Sequence, residues 1–120
     1  MAAKSGFVSL HPYFTVHPGK LGEFKASLAA FVEKTRAEEK NVFYDFTISG
    51  EVVFCREAYA DAEGLLAHLA NVDALLQAAF KIADVTRLEV HGPAAELEKL
   101  KAPLADYQPA WFVRETGVER

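Results

Sequence analysis

Apolar residues in this chain follow two spacings in turn, one typical of strands and the other of helices. From Phe7 to Val16 they alternate with polar residues, so that one strand face carries Val8, Leu10, Phe14 and Val16. From Lys20 to Lys40 they recur every three or four residues instead, which predicts a helix with one buried side. Because each period restricts a segment to one kind of element, the order of these segments limits the fold more than any other feature.

The rest of the chain continues the same alternation. Val42 to Ile48 and Glu51 to Tyr59 are rich in β-branched and aromatic residues, and the short Ser49-Gly50 step between them predicts a hairpin. A second helix begins after Asp61, and we expect Asn71-Val72-Asp73 to divide it in two. A fourth strand is predicted at Val85 to Val90. A short helix follows Gly92-Pro93 and is limited by Pro103, and a final extended segment lies at Trp111 to Val113.

Pro12 interrupts the first strand. Proline has no N–H group to donate to a neighbouring strand, so the strand is expected either to be bulged at Pro12 or to lie with that position at an unpaired edge.

The order strand, helix, strand, strand, helix, strand is that of the ferredoxin-like, or split βαβ, arrangement. The predicted fold class is therefore α+β, with an antiparallel sheet and an extra C-terminal short helix and strand. A chain of 120 residues is long enough for one domain with its own core and short for two. We expect that domain over residues 7–116, with short tails at 1–6 and 117–120.

Four strands present two sheet faces, and two helices cover only one of them. The hairpin carries apolar residues on both faces, for example Phe46 on one and Phe43 on the other. An apolar face of this size favours association, and a second copy of the chain covers it with two-fold symmetry. We therefore predict a homodimer, with the segment around Trp111 as a candidate to cross to the partner.

Composition argues against several classes of partner. The net charge is −4, and no segment gathers Lys and Arg on one face, so we expect no nucleic-acid partner. No run of about 18 uncharged apolar residues is present, so neither a membrane span nor a signal peptide is expected. The single cysteine, Cys55, excludes an internal disulfide, and we expect a cytoplasmic protein.

One stretch resembles a known family. It begins where a strand ends with a glutamate and an aromatic residue and continues into a helix with a histidine, in the run Arg56-Glu57-Ala58-Tyr59-Ala60-Asp61-Ala62-Glu63-Gly64-Leu65-Leu66-Ala67-His68-Leu69. This run resembles the central part of antibiotic biosynthesis monooxygenase domains, and with the element order the likeness spans Phe7 to Leu100. The resemblance implies a dimeric α+β barrel.

That family includes cofactor-free oxygenases of phenols or quinols, haem-degrading enzymes, isomerases and proteins without an assigned reaction, and fold alone does not choose among them. The oxygenases and haem-degraders often have a tryptophan at the strand end, where this chain has Tyr59. Its only tryptophan, Trp111, lies far away in the sequence, which argues against haem degradation.

His68 is the leading catalytic candidate. It lies at the margin of the apolar helix stripe, with Asn71 on the same side, and an imidazole suits a general base that removes a phenolic proton. Glu57 and Tyr59 share one strand face and are candidates to position the histidine or the substrate, or to take a proton. The alternatives are a histidine bonded to nearby backbone, a carboxylate paired with a lysine or arginine, and a half-buried tyrosine.

Further residues are predicted to contact the substrate: His11, Tyr13, Leu65 and Val72. For His11 and Tyr13 the alternative is cross-strand packing. His11 and His17 are too far apart for a shared metal, because six strand residues span roughly 20 Å. No phosphate-binding glycine loop is present, and Cys55 reads as an inert core thiol, so we expect neither a cofactor nor a metal.

Three kinds of function fit these residues. The first is a cofactor-independent monooxygenase acting on a small aromatic or quinol-type molecule. The alternatives are a non-catalytic small-molecule-binding or stress-related barrel and a small-molecule isomerase.

Overall fold

The structure is a computed structural model that describes residues 6–119. Most of the predicted N-terminal tail and residue 120 lie outside the described residues. The elements follow in the order β1 (Val8–Val16), α1 (Leu21–Arg36), β2 (Asn41–Ser49), β3 (Val52–Tyr59), α2 (Ala62–Asn71), α3 (Asp73–Ala79), β4 (Ala83–Gly92), α4 (Ala94–Lys101) and β5 (Ala110–Val113), with a 3-10 turn at Ala105–Tyr107. The predicted α+β, ferredoxin-like arrangement is confirmed.

The five strands form one sheet in the order β2-β3-β1-β4-β5. The first four pair antiparallel, whereas β5 pairs parallel with β4 and aligns Trp111 with Val90. The sheet is therefore mixed rather than purely antiparallel. The C-terminal segment extends the sheet of its own chain, because α4 provides the crossover that a parallel neighbour requires.

Pro12 lies in a central strand and not at an edge. The β1–β3 register is the same before and after it, from Leu10 opposite Glu57 to Tyr13 opposite Phe54. The irregularity falls on the other side of β1, where the register with β4 shifts between Tyr13 and Phe14. Of the two sequence alternatives, a local bulge near the proline is correct.

The helices cover one face of the sheet, as predicted. The alternation of β1 holds along its length, with Val8, Leu10, Phe14 and Val16 all buried. Two apolar clusters form the core: one brings β1 and β4 together with α2 and α4, and the other brings β1 and β3 together with α1 and α3.

The second helical segment divides at Val72, as predicted. The side chain of Asp61 accepts a hydrogen bond from the Gly64 N–H and caps the start of α2, while Val72 separates α2 from α3. No helix within residues 6–119 is long and apolar enough to cross a membrane.

The opposite face of the sheet is not covered within residues 6–119. Phe43 and Phe112 remain 38% and 41% exposed, and Tyr13 contacts Phe54 on the same face. Charged residues of both signs lie between these rings. We call this surface, formed by the outward side chains of all five strands, the open sheet face.

Candidate active site

A cavity lies between the helix-covered face of the sheet and the helices, where the two core clusters meet. It contains about 650 Å³ of space, counted together with the solvent space at its mouth. Most of its wall is apolar, with five phenylalanine rings among the lining residues: Phe14, Phe24, Phe31, Phe46 and Phe80. Such a wall favours a small and largely apolar molecule.

Glu57 is a carboxylic acid within this apolar wall. It points from β3 to the helix-covered side and is 3% exposed. Burial raises the pKa of the Glu57 carboxyl above its ordinary value, although the nearby His68 side chain and the hydrogen bond from Tyr59 oppose this rise. A carboxyl with a raised pKa is a stronger base when it is ionised, and it stays protonated at a higher pH than an ordinary carboxyl.

Tyr59 supports this carboxyl from the same strand face. Its hydroxyl donates a hydrogen bond of 2.6 Å to Glu57 Oε1, and the Tyr59 side chain is fully buried. Burial raises the pKa of Tyr59, so its phenol remains protonated and continues to donate. The predicted half-buried tyrosine is therefore a buried partner of the carboxyl.

His68 lies between two carboxylates. Its Nδ1 is 2.8 Å from Glu38 Oε2, its Nε2 is 3.3 Å from Glu57 Oε1, and the side chain is 2% exposed. The rings of Tyr44 and Tyr59 flank the imidazole, each with its centroid 5.1 Å away. The predicted backbone-bonded histidine is not observed, because both ring nitrogens face side-chain carboxylates.

Asn71 holds the Glu38 carboxylate in place. Its amide donates to Glu38 Oε2 at 2.9 Å and to the Lys34 carbonyl at 3.0 Å. It does not line the cavity. The last turn of α2 is thereby joined to the end of α1, and Glu38 is held against His68.

Sequence reasoning did not identify Glu38 or Tyr44. Glu38 follows the end of α1 and meets His68 only through tertiary packing, since 30 residues separate them. Tyr44 lies on β2 opposite Glu57 and lines the cavity, and strand alternation alone places it on that side. The recognisable signal was a second aromatic residue on the face that carries Glu57.

Cys55 lies two residues before Glu57 and also lines the cavity. It is 1% exposed, and burial raises the pKa of its thiol. A neutral thiol of this kind is a poor nucleophile, which agrees with the predicted inert character.

Four other sequence candidates do not line the cavity. His11 and Tyr13 point to the open sheet face, where His11 packs against His91 and Phe54. Leu65 and Val72 are fully buried within the two core clusters. The structure therefore brings Glu57, Tyr59, His68 and Asn71 together, whereas the four predicted substrate contacts do not form part of the cavity wall.

Arg87, Glu89 and His91 lie on the open sheet face and pair within the chain. Glu89 accepts from Arg87 and lies 3.0 Å from His91 Nε2. Among residues 6–119, no three side chains of His, Cys, Asp or Glu are grouped in a way that suits a metal ion.

Comparison with known proteins gives a near relative and distant structural neighbours. No family model matches the chain, and no curated protein does. The crystal structure of MupZ from Pseudomonas fluorescens superposes with a TM-score of 0.91 at 43% identity, covering 96% of this chain and 95% of MupZ.

The distant neighbours share the fold alone. A provisionally assigned antibiotic biosynthesis monooxygenase from Nitrosomonas europaea is 18% identical, with a TM-score of 0.67 over 75% of this chain and 92% of its own. A protein from Bacteroides thetaiotaomicron, provisionally named an oxidoreductase, is also 18% identical, with a TM-score of 0.62 over 72% and 94%. These likenesses support the α+β fold inferred from the Arg56 to Leu69 run. The identity and coverage shared with MupZ go further, and the chain belongs to the same family as MupZ from Pseudomonas fluorescens.

Proposed function

We propose that this protein is an enzyme that binds a small, largely apolar molecule in the cavity and transfers a proton at Glu57. The reaction we propose is cofactor-independent oxygenation of an aromatic, quinol-type molecule. The observation that carries the proposal is a buried carboxyl, backed by a histidine and a tyrosine, in the wall of an apolar cavity. Distant neighbours with provisional monooxygenase and oxidoreductase names support an oxidative reaction at the level of the fold.

Glu57 is the group best placed to meet the ligand. Both nitrogens of His68 face carboxylates, so the imidazole acts on the ligand through Glu57. Ordinary carboxylates are weak bases near neutral pH, and the burial that raises the pKa of Glu57 makes it a better match for a phenolic proton. His68 is then the proton shuttle, while Tyr59 and Asn71 hold the carboxylates in position.

The oxygenation balances without an added reductant. The ligand gives one proton to Glu57, and its electron-rich anion combines with dioxygen to form a carbon-bound peroxide. The peroxide takes a proton back and loses water, so that the ring C–H carbon that bound dioxygen becomes a carbonyl carbon and the phenol becomes a quinone. Carbon is oxidised, one oxygen atom enters the product and the other leaves as water.

Oxygen uptake tests this reaction. The assay uses a panel of phenols, naphthols and hydroquinones with an oxygen electrode, and compares wild type with Glu57→Gln and His68→Ala. We expect uptake with at least one compound and a loss of about a hundredfold or more in both variants, the usual contribution of a positioned acid or base. The matched control is His17→Ala, since His17 pairs with Asp84 at the surface and does not line the cavity. Unchanged uptake in Glu57→Gln contradicts the proposal.

Isomerisation is a second candidate, because Glu57, His68 and Tyr59 together can both remove a proton and return it. This reaction proceeds without oxygen and moves deuterium from heavy water into the ligand. Turnover under argon with incorporation of deuterium favours it. Binding of panel compounds without either signal favours the non-catalytic binding protein.

We also propose that a second copy of the chain covers the open sheet face. Aromatic rings there are partly exposed, and the same face carries both signs of charge, with Arg87 beside Glu89 and Arg56 beside Asp45. A face with both signs can complement itself across a two-fold axis.

Light scattering tests this homodimer. We expect twice the monomer mass for wild type and a monomer for Phe112→Asp, which places a charge on the open sheet face. Val118→Asp is the control, because Val118 is 76% exposed and follows the last strand. A monomeric wild type at micromolar concentration refutes the homodimer.

A further inference from the structure

His68 and Glu38 connect two different pockets. The apolar cavity reaches Glu57 and His68 on one side. On the other side, a polar pocket opens between the end of α1 and the start of β2, with Val32, Thr35, Arg36, Glu38, Asn41 and Tyr44 as its lining residues. His68 lines the apolar cavity, Glu38 lines the polar pocket, and the two side chains are in direct contact at 2.8 Å.

Two contacts make this connection continuous. Glu57 Oε1 is 3.3 Å from His68 Nε2, and His68 Nδ1 is 2.8 Å from Glu38 Oε2. The other oxygen, Glu38 Oε1, is buried and accepts no hydrogen bond from any of residues 6–119. A buried carboxylate oxygen without a donor costs free energy, so it favours the approach of water or another donor from the polar pocket.

We propose that Glu38 is the outer group of a proton relay, which runs from Glu57 in the apolar cavity through His68 to the polar pocket. Glu38 does not touch the ligand in this arrangement. It accepts the proton that His68 releases and exchanges it with solvent. The use of the relay in turnover rests on the proposed function, whereas the relay itself is a property of the protein without ligand.

The transfer balances along the path. Glu57, after taking a proton from the ligand, gives it to His68 Nε2, and the proton on His68 Nδ1 passes to Glu38 Oε2. Glu38 then loses one proton to water in the polar pocket. The imidazole is left with its proton on Nε2 instead of Nδ1.

This change of tautomer predicts that the relay works in both directions. Tyr44 and Tyr59 flank the buried ring, so a flip of the imidazole that would restore the first tautomer is hindered. A proton that returns from Glu38 through His68 to Glu57 restores it without any rotation. The relay therefore suits reactions in which a proton first leaves the ligand and is later returned.

Several titratable or charged groups surround the path. Glu57, Tyr59 and Tyr44 face His68 from the sheet, and Arg36 lines the polar pocket near Glu38. Arg36 pairs with Glu33 at the surface. Asn71 donates to Glu38 Oε2, and this bond keeps that oxygen directed at the imidazole.

Exchange of the His68 ring proton with water tests the relay without a substrate. Protein labelled with ¹⁵N-histidine is measured by NMR at several pH values, and the exchange rate of the Nδ1 proton is compared among wild type, Glu38→Gln and Glu38→Asp. We expect Glu38→Gln to slow the exchange by about tenfold or more, which corresponds to a barrier about 1.4 kcal/mol higher. Glu38→Asp, which restores a carboxylate, is expected to recover part of the rate.

The matched control is Glu39→Gln, because Glu39 is the exposed neighbour of Glu38 and makes no contact with His68 among the described residues. Equal exchange rates in wild type and Glu38→Gln overturn the relay. If Glu38→Gln does not fold, wild type decides: exchange that accelerates with phosphate buffer supports access through Glu38, and exchange independent of buffer overturns it. Slower exchange in Glu38→Gln, together with no turnover of the phenol panel, supports the relay and refutes the proposed oxygenase activity.

Discussion

Replacing Glu57 by glutamine should change how the stability of the protein depends on pH. The two side chains have nearly the same shape, and the glutamine carbonyl can still accept the hydrogen bond that Tyr59 donates at 2.6 Å. His68 Nε2 lies 3.3 Å from the same oxygen, Glu57 Oε1, so a glutamine carbonyl there keeps the Tyr59 bond and places the amide nitrogen at the Oε2 position. The main difference is that glutamine does not ionise.

The sign of the effect follows from the raised pKa. Burial raises the folded-state pKa of Glu57, so the folded protein holds this proton at pH values where the unfolded chain, with a carboxyl pKa of about 4.3, has released it. The contribution of Glu57 to stability is therefore full below the unfolded pKa and is lost as the pH rises toward the folded pKa. Within that window the loss reaches about 1.4 kcal/mol for each pH unit.

Urea unfolding at a series of pH values measures this difference. The fluorescence of Trp111, the only tryptophan, reports unfolding because the residue packs against the core. We expect the free energy of unfolding of wild type, minus that of Glu57→Gln, to fall as the pH rises above the unfolded carboxyl pKa of about 4.3. Glu39→Gln should leave the pH dependence unchanged. A difference that is flat, or that grows with pH, refutes the reasoning that burial dominates the ionisation of Glu57.

Three further changes have predictable effects on the free energy of unfolding in urea. Tyr59→Phe removes the bond to the buried carboxyl and should cost about 1.5 to 3 kcal/mol, and a cost below about 0.5 kcal/mol contradicts a strong bond. Gly92→Ala places a Cβ 2.8 Å from Val8 Cγ1 and should cost about 1 to 3 kcal/mol. Gly22→Ala, with open space around its Cβ in α1, should instead stabilise the protein by up to about 1 kcal/mol. Equal effects of the two substitutions refute the steric argument. Asp61→Ala removes the cap of α2 and should cost about 0.5 to 2 kcal/mol near neutral pH. Because the hydrogen bond with Lys40 lowers the pKa of Asp61, this cost should shrink as the pH falls through that pKa. A cost that does not change with pH contradicts the role of the ionised carboxylate.

Local patterns predicted most of the fold. Alternation along β1 and the helical spacing of α1 depend on neighbouring residues, so both were readable from the sequence. The parallel pairing of β5 was not, because four residues at the end of a chain do not specify which edge they join. The placement of Pro12 beside a bulge, rather than at an edge, likewise depends on the strand order.

The candidate site was only partly predictable. Strand alternation placed Glu57 and Tyr59 on one face, and helix geometry brought His68 toward it. Glu38 was beyond these rules, because its contact with His68 joins residues that are 30 positions apart and forms only through tertiary packing. Strand alternation also left open which face would meet the helices, and His11 and Tyr13 therefore remained candidates until the topology separated them from Glu57.

Part of the cavity wall comes from the segment that follows the ferredoxin-like arrangement of β1 to β4. Leu104 and Tyr107, which follow α4, both line the cavity, and the ring of Tyr107 lies 6.3 Å from that of Phe80. The size and shape of the cavity are thus set partly by a segment that carries none of the proposed acid–base residues. For the proposed enzyme, exchange of the C-terminal segment is therefore expected to change selectivity while Glu57 and His68 stay the same.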